Sequence, residues 1–241
     1  KIAITALMIP LFLLGLSASP ALDVQPQSPE KAEKIAPAPQ HSRVDLVLCL
    51  DTSNSMDDLI DSAKIKLWDI VNTLATAEPT PDFRVALYAY GSPAYPAEGG
   101  WVRKQLDFTD DLDAVYERLF ALTTNGGTEY VSRVTRASLE QDWSKTSDRT
   151  LKLIFVAGNE PADQDPDFSL REVMTKAGER GVYVNTIYCG NPDNNEAQSW
   201  RDAAALGKGK FAAIDANRTV AINTPYDEQL AKLSAKLNET Y

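Results

Sequence analysis

Histidine is nearly absent from this chain of 241 residues. The only one, His41, lies in a segment rich in proline and polar residues near the N-terminus. A Ser-His-Asp triad, a cysteine nucleophile activated by histidine and a histidine-ligated zinc site all need histidine in the folded region. The sequence therefore excludes these three kinds of site from the part of the chain that follows His41.

Cysteine is also scarce, since Cys49 and Cys189 are the only two. Two thiolates are too few for a zinc cage. Each lies in an apolar, strand-like run, and on the fold predicted below the two strands are not neighbours. Bridged cysteines need Cα atoms within about 7 Å of each other. We expect two small buried side chains, and a disulfide is the alternative in an exported chain.

Positive charge is the third deficit. The chain has 24 Lys and Arg against 34 Asp and Glu, which gives a formal net charge of -10. Nucleic-acid binding needs clustered Lys and Arg to neutralise phosphates, so this balance argues against a nucleic-acid partner. An acidic surface is compatible with cation binding and with a soluble extracellular protein.

The apolar run at the N-terminus is short for a membrane span, which needs about 20 apolar residues. Lys1 precedes "IAITALMIPLFLLGL", and the small residues of "SASPA" follow. This order predicts a cleaved signal peptide over residues 1–21, with a retained membrane anchor as the alternative. Residues 22–43 have few large apolar side chains, which predicts a disordered linker. We therefore expect an exported protein of the periplasm, cell envelope or extracellular space, with membrane contact only through an uncleaved N-terminal segment.

Strand-like and helix-like patterns alternate over residues 44–241. Apolar runs such as "VDLVLCL" and "TLKLIFVAG" are typical of strands covered on both faces, and segments with helical spacing lie between them. "WVRKQLDF" alternates and predicts an edge strand in a hairpin. Thr109 is expected to cap the helix that follows, and residues 225–241 to form an amphipathic helix. The pattern predicts an α/β domain with a doubly wound, mostly parallel six-stranded sheet and helices on both faces.

The first predicted strand ends in oxygen-bearing side chains. Asp51, Ser53 and Ser55 follow the apolar run directly in "LVLCLDTSNSMDD". Ligands of doubly wound sheets bind at the carboxyl ends of the strands. One carboxylate and two hydroxyls suit Mg²⁺, Mn²⁺ or Ca²⁺ rather than a soft metal. Alternatively, the two serines simply cap the helix that begins near Asp57.

"DTSNS" and the later "NGGTEY" resemble two loops of the von Willebrand factor type A domain, found in integrins and many exported bacterial proteins. The resemblance covers roughly residues 44–240 and includes the ending "SWRDAAALGKGKFAAID". It implies a metal ion-dependent adhesion site in which Asp51, Ser53, Ser55 and Thr128 hold Mg²⁺, or Ca²⁺ or Mn²⁺. Otherwise, Thr128 is an ordinary helix N-cap.

One position departs from the family pattern. The family usually has an Asp after the fourth strand, where "FVAGNEPADQ" has Gly158. Glycine offers no side-chain oxygen, so its presence is expected to weaken cation affinity. Glu160 and Asp163 in the same loop are candidates to compensate.

The resemblance implies a non-enzymatic module of the cell envelope that binds a protein through a divalent cation. Neutral hydroxyl ligands leave the ion positive, so that it accepts a Glu or Asp carboxylate of the partner as its last ligand. One alternative is a domain with a degenerate metal site, which acts as a metal-independent interaction scaffold. A less favoured one is a phosphotransfer-type enzyme, since Ser53 stands where a second carboxylate is needed and a Walker A loop is absent.

Overall fold

A computed structural model describes residues 42–78, 80–145, 147 and 150–214. The strands are β1 (Arg43–Asp51), β2 (Asp82–Tyr90), β3 (Val102–Thr109), β4 (Thr150–Gly158), β5 (Val182–Cys189) and β6 (Lys208–Ile214). The α-helices are α1 (Ile60–Ala75), α2 (Leu112–Phe120), α3 (Val131–Leu139), α4 (Leu170–Glu179) and α5 (Glu196–Leu206). The predicted signal peptide, nearly all of the predicted linker and the predicted helix over residues 225–241 lie outside the described residues.

The six strands form one sheet in the order β3-β2-β1-β4-β5-β6. Every neighbouring pair is parallel except β2 and β3, which form an antiparallel hairpin at the edge. The predicted α/β fold and the predicted edge hairpin are thus confirmed. The strand order reverses beside β1, because the chain passes first to β2 and later to β4 on its other side. Open α/β sheets bind ligands at such a point, outside the carboxyl ends of the strands.

The helices lie in two layers, one on each face of the sheet. Alternate residues of β1 point to opposite faces, with Leu46, Leu48 and Leu50 packed in the cluster that contains residues of α1 and α2. Val47 and Cys49 pack in the cluster that contains residues of α3, α4 and α5. All five side chains are fully buried, which explains the continuous apolar run of this strand. Within the described ranges, no helix has the length and apolarity that a membrane crossing requires.

The start of α2 differs from the prediction by two residues. Thr109 does not cap this helix, because it is the last residue of β3 and pairs with Val85 of β2. Asp111 is the N-cap instead, and its side chain accepts a hydrogen bond from the Ala114 N–H at 3.0 Å. The Thr109 hydroxyl accepts from the Asp111 N–H at 3.1 Å. The strand therefore extends further than the sequence pattern indicated, and an acidic residue begins the helix.

The two cysteines are free and buried. Cys49 is in β1 and Cys189 is in β5, and β4 lies between these strands. The expectation of two small buried side chains is confirmed, and the disulfide alternative is wrong. The Cys49 Sγ lies 3.2 Å from the Ser138 Oγ of α3, so this thiol has a polar contact inside the core.

Candidate metal centre at the carboxyl edge of the sheet

The loop after β1 brings three of the predicted ligands together. Asp51 ends the strand and Ser53 follows it, each only 1% exposed, while Ser55 is exposed. The Asp51 Oδ1 accepts a hydrogen bond from the Ser53 N–H at 2.9 Å, and a single 3-10 turn over Asn54–Met56 follows. This turn places the Ser53 and Ser55 Oγ atoms 2.9 Å apart. A carboxylate and two hydroxyls therefore converge at the carboxyl edge of the sheet.

The side chains of the predicted ligands do not cap a helix. Ser53 is the N-cap residue of the short 3-10 turn, but its side chain accepts no capping hydrogen bond, and Leu59 occupies the cap position of α1. Thr128 lies before the N-cap of α3, which is Tyr130. The capping alternative is therefore wrong for all three hydroxyls. Their oxygen atoms are not committed to satisfying helix N–H groups.

Thr128 reaches the same edge from the loop between α2 and α3. This loop is fixed to the first one by a hydrogen bond of 2.8 Å from the Asn125 N–H to the Thr52 carbonyl oxygen. Further along it, Gly127 packs so closely on the Gly91 carbonyl that a Cβ at residue 127 would lie 2.0 Å from that oxygen. The half-buried Thr128 follows directly. Only glycine allows this approach of two loops, and the approach brings Thr128 to the edge that carries Asp51.

Glu129 is part of this site although the sequence reasoning gave it no ligand role. A Cβ added at Gly91 would lie 2.6 Å from the Asp51 Oδ1, 3.1 Å from the Glu129 Cγ and 3.4 Å from the Ser53 Cβ. Three side chains therefore surround one small volume beside Gly91, whose φ of +84° suits glycine. Its position directly after Thr128 was the one feature of the sequence that pointed to Glu129.

Gly158 lies beside Asp51, where the resemblance expects an Asp. An added Cβ would lie 3.1 Å from the Asp51 Oδ2, but also 2.5 Å from the Tyr90 Oη and 3.0 Å from the Trp200 Cη2. Both aromatic side chains are buried, and the Tyr90 hydroxyl donates to the Ala157 carbonyl oxygen at 3.0 Å. The room of the missing side chain is thus occupied by two aromatic residues.

The loop after β4 contributes a second residue that the sequence reasoning missed. Asn159 accepts a hydrogen bond from the Ser55 hydroxyl at 2.9 Å and donates from Nδ2 to the Ser55 carbonyl oxygen at 3.0 Å. Its position directly after an apolar strand was the available signal. Of the two acids proposed to compensate for Gly158, Glu160 is half-buried and Asp163 is exposed.

Burial and neighbouring negative charge raise the pKa of two acids at this edge, Asp51 and Glu129. Burial raises the pKa of Asp51 to about 7, against the effect of hydrogen bonds from Ser53, and the charges of Glu129 and Glu160 raise it further. Burial also raises the pKa of Glu129, and the Glu160 charge adds to this effect. A divalent cation would relieve this repulsion between like charges.

The donor set fits a hard divalent cation. Its atoms are carboxylate and hydroxyl oxygens, which Mg²⁺, Ca²⁺ and Mn²⁺ prefer. In the part of the chain that the structure describes, no three His, Cys, Asp or Glu side chains form a group that could hold a metal ion. A cation at this edge would therefore depend on the hydroxyls of Ser53, Ser55 and Thr128 as well as on Asp51.

The sequence model of the von Willebrand factor type A domain matches residues 45–236. No curated protein matches the chain significantly.

Several solved structures share the fold. The protein BatB from Bacteroides thetaiotaomicron aligns with a TM-score of 0.54 at 16% identity, over 81% of this chain and 98% of that one. The vWF domain of the type V pili tip protein Mfa5 from Porphyromonas gingivalis aligns with a TM-score of 0.56 at 14% identity, over 81% and 96%. Proximal thread matrix protein 1 from the mussel byssus, in a structure with a zinc-occupied MIDAS motif, has a TM-score of 0.56 at 13% identity, over 80% and 46%. At these identities the likeness shows the fold alone.

Proposed function

The chain belongs to the von Willebrand factor type A family, and from this membership we propose that it is a non-enzymatic protein-binding module that depends on a divalent cation. The observation that carries the proposal is the convergence of Asp51, Ser53 and Ser55, with two hydroxyl oxygens 2.9 Å apart beside a buried carboxylate. Thr128 completes the proposed ligand set. When bound, Mg²⁺ (or Ca²⁺ or Mn²⁺) supplies a positive charge that attracts a Glu or Asp carboxylate of the partner.

The residues of the edge divide between a buried and an accessible part. Asp51 and Ser53 are buried and fixed by the 2.9 Å hydrogen bond between them, so they form the base of the site. Ser55 is exposed, and Asn159 holds both its hydroxyl and its carbonyl group. A partner would approach the edge from the side of Ser55, while the core of the sheet keeps the base rigid.

The enzyme alternative finds little support at this edge. The side chain two residues after Asp51 is the hydroxyl of Ser53, where a phosphotransfer site of the kind considered needs a second carboxylate. The only histidine of the chain lies before β1. The scaffold alternative has one specific observation in its favour, since Tyr90 and Trp200 occupy the room of the family's missing Asp at residue 158.

We also propose that the protein is exported, to the periplasm or cell envelope or beyond. The predicted signal peptide over residues 1–21 supports this location. The bacterial neighbours support it as well, because one of them is a pilus tip protein.

The test combines cation binding with partner capture. We expect calorimetric titration of the full chain with MgCl₂, CaCl₂ or MnCl₂ to give saturable binding that Ser53→Ala and Thr128→Ala weaken. We expect capture of a protein from envelope extract in MgCl₂ to be lost in EDTA and in the same two variants. Capture that persists in EDTA, together with titrations without binding heat, would establish the metal-independent scaffold instead.

A further inference from the structure

The proposed ligand set has a deficit of negative charge. Asp51 is its only carboxylate, since the other three members are neutral hydroxyls and Gly158 replaces the family's second acid. Hard divalent cations in proteins are held largely by carboxylates, and affinity follows the number of charged ligands and the rigidity of the site. The structure leaves no room for an acid at residue 158, because the Tyr90 hydroxyl and the Trp200 ring lie within 3.0 Å of a Cβ placed there.

Glu129 reaches the edge from the opposite side of Asp51. Its Cγ and the Asp51 Oδ1 both lie close to the position of a Cβ on Gly91, at 3.1 Å and 2.6 Å. The side chain of Ser53, itself a proposed ligand, lies beside both acids, with its Cβ 3.4 Å from the same position. Two acidic side chains and a hydroxyl-bearing one thus meet beside a residue without a side chain. The absence of a Cβ at Gly91 is what leaves this volume open.

The orientation of Glu129 is fixed by the loop that follows β4. Gln164 donates from Nε2 to the Glu129 carbonyl oxygen at 2.8 Å and to the Oε2 at 3.4 Å. A polar partner outside the ligand set that orients a ligand is typical of metal sites in proteins. The same loop holds Ser55 through Asn159. The loop after β4, which lacks the family's Asp, therefore positions Glu129 and Ser55.

The neighbouring acids are weaker candidates for this role. Glu160 is half-buried and affects Asp51 and Glu129 through its charge, without a hydrogen bond to either of them or to Ser53. Asp163 is exposed. Glu129 is thus the acid whose side chain lies together with those of Asp51 and Ser53 around the Cβ position of Gly91.

We propose that Glu129 is the second carboxylate of the cation site, where it replaces the family's acid after β4 from the loop that leads into α3. This inference rests on the proposed function. It assigns the site two acids from different loops, Asp51 and Glu129. A divalent ion would then meet two negative charges and the hydroxyls between them.

The test compares two variants that remove the same charge. Glu129→Gln removes the proposed ligand, and Glu160→Gln removes a neighbouring acid that has no hydrogen bond to Ser53. We expect calorimetric titration of the full chain with MnCl₂ and MgCl₂ to give a Kd raised at least about tenfold by Glu129→Gln and less than about threefold by Glu160→Gln. The rise in Tm on adding MgCl₂ should shrink in the same order, because a bound ion stabilises only the folded state.

Glu129→Asp tests whether the length of the side chain matters in addition to its charge, because this variant keeps the carboxylate and shortens the side chain. We expect it to raise the Kd severalfold, and its Tm without cation checks that the chain still folds. Equal losses in Glu129→Gln and Glu160→Gln would overturn the ligand role in favour of a general charge effect. Unchanged affinity in Glu129→Gln, with loss in Ser53→Ala, would overturn this inference and leave the proposed function intact. A wild-type chain that binds no cation would overturn both.

Discussion

The hydroxyl group of Tyr90 occupies the space that a side chain at Gly158 would need. A Cβ at residue 158 would lie 2.5 Å from the Tyr90 hydroxyl oxygen, which is closer than real carbon atoms come to such a group. Tyr90 is fully buried and its hydroxyl donates to the carbonyl oxygen of Ala157, so it cannot turn away without losing a buried hydrogen bond. The lack of an acid at residue 158 is therefore tied to the packing of the core below it.

This relationship predicts that restoring the family's acid will destabilise the protein. We expect Gly158→Asp to lower the free energy of unfolding by at least about 2 kcal/mol, because it overpacks a filled site and adds a charge beside Asp51. Urea denaturation measures this loss. Gly99→Ala is the matched control, since nothing lies within 4 Å of an added Cβ there.

The same substitution in a Tyr90→Phe background should be milder relative to its own parent, because the hydroxyl oxygen at 2.5 Å is gone. A Gly158→Asp chain as stable as the wild type would contradict the packing argument. It would mean that Tyr90 and Trp200 yield easily to a side chain at this position.

A buried ion pair at the opposite end of β1 predicts acid sensitivity. Asp45 is fully buried and accepts hydrogen bonds from Arg84 Nε at 2.7 Å and from the Ser144 N–H at 2.6 Å. Burial alone would raise the pKa of Asp45, but the hydrogen bonds from Arg84 and Ser144 outweigh it and lower the pKa below its usual value. The pair therefore stabilises the fold above the unfolded-state pKa of about 3.9, and this stability is lost as the pH falls through the folded-state pKa.

We accordingly expect Asp45→Asn to cost about 3 kcal/mol at pH 7, because it leaves the Arg84 charge without its partner. The difference from the wild type should shrink when both are unfolded in urea near pH 3. Asp107→Asn is the control, since its pair with Lys104 is exposed and such pairs contribute at most about 1 kcal/mol. If the two chains differ in stability by the same amount at both pH values, the negative charge of Asp45 is not the source of the stabilisation.

Much of the fold could be predicted from the sequence, and so could the part of the site that is local in the chain. The apolar run of β1 reflects burial on both faces, and Asp51, Ser53 and Ser55 lie within five residues, so a short turn alone brings them together. The roles of Asn159 and Tyr90 could not be predicted. Asn159 meets Ser55 across 104 residues, and Tyr90 meets Ala157 across 67. Such contacts depend on which side chain happens to fill a space between strands, and the hydrophobic pattern does not encode that choice.

The contacts of Arg133 predict that its substitution affects the site indirectly, through the loop that follows β4. Its guanidinium binds the Asp165 carboxylate in a bidentate pair at 3.0 and 3.2 Å and contacts Asp167 at 2.6 Å. Both acids belong to the loop between β4 and α4, which also carries Asn159 and Gln164. We expect Arg133→Ala to loosen this loop, which hydrogen exchange of residues 159–169 would reveal as faster exchange.

Arg133→Lys should rescue little, because an ammonium group cannot form the bidentate pair. Arg118→Ala serves as the control, since this exposed arginine lies in the last turn of α2. Unchanged exchange in residues 159–169 of the Arg133→Ala chain would show that other contacts hold the loop.

The buried Asp51 predicts that the protein gains stability when a site carboxylate is removed. Its pKa is raised to about 7 by burial and by nearby acids, so the folded state binds a proton that the unfolded chain releases near pH 4. Without cation, its contribution to stability is therefore present below pH 4 and is lost as the pH rises to about 7.

We expect Asp51→Asn to be more stable than the wild type at pH 8 in EDTA, by on the order of 2 kcal/mol in urea unfolding, and similar to it at pH 4. The exposed Asp163→Asn should change little at either pH. An Asp51→Asn chain less stable than the wild type at pH 8 would mean that Asp51 stabilises the apo fold as an ion.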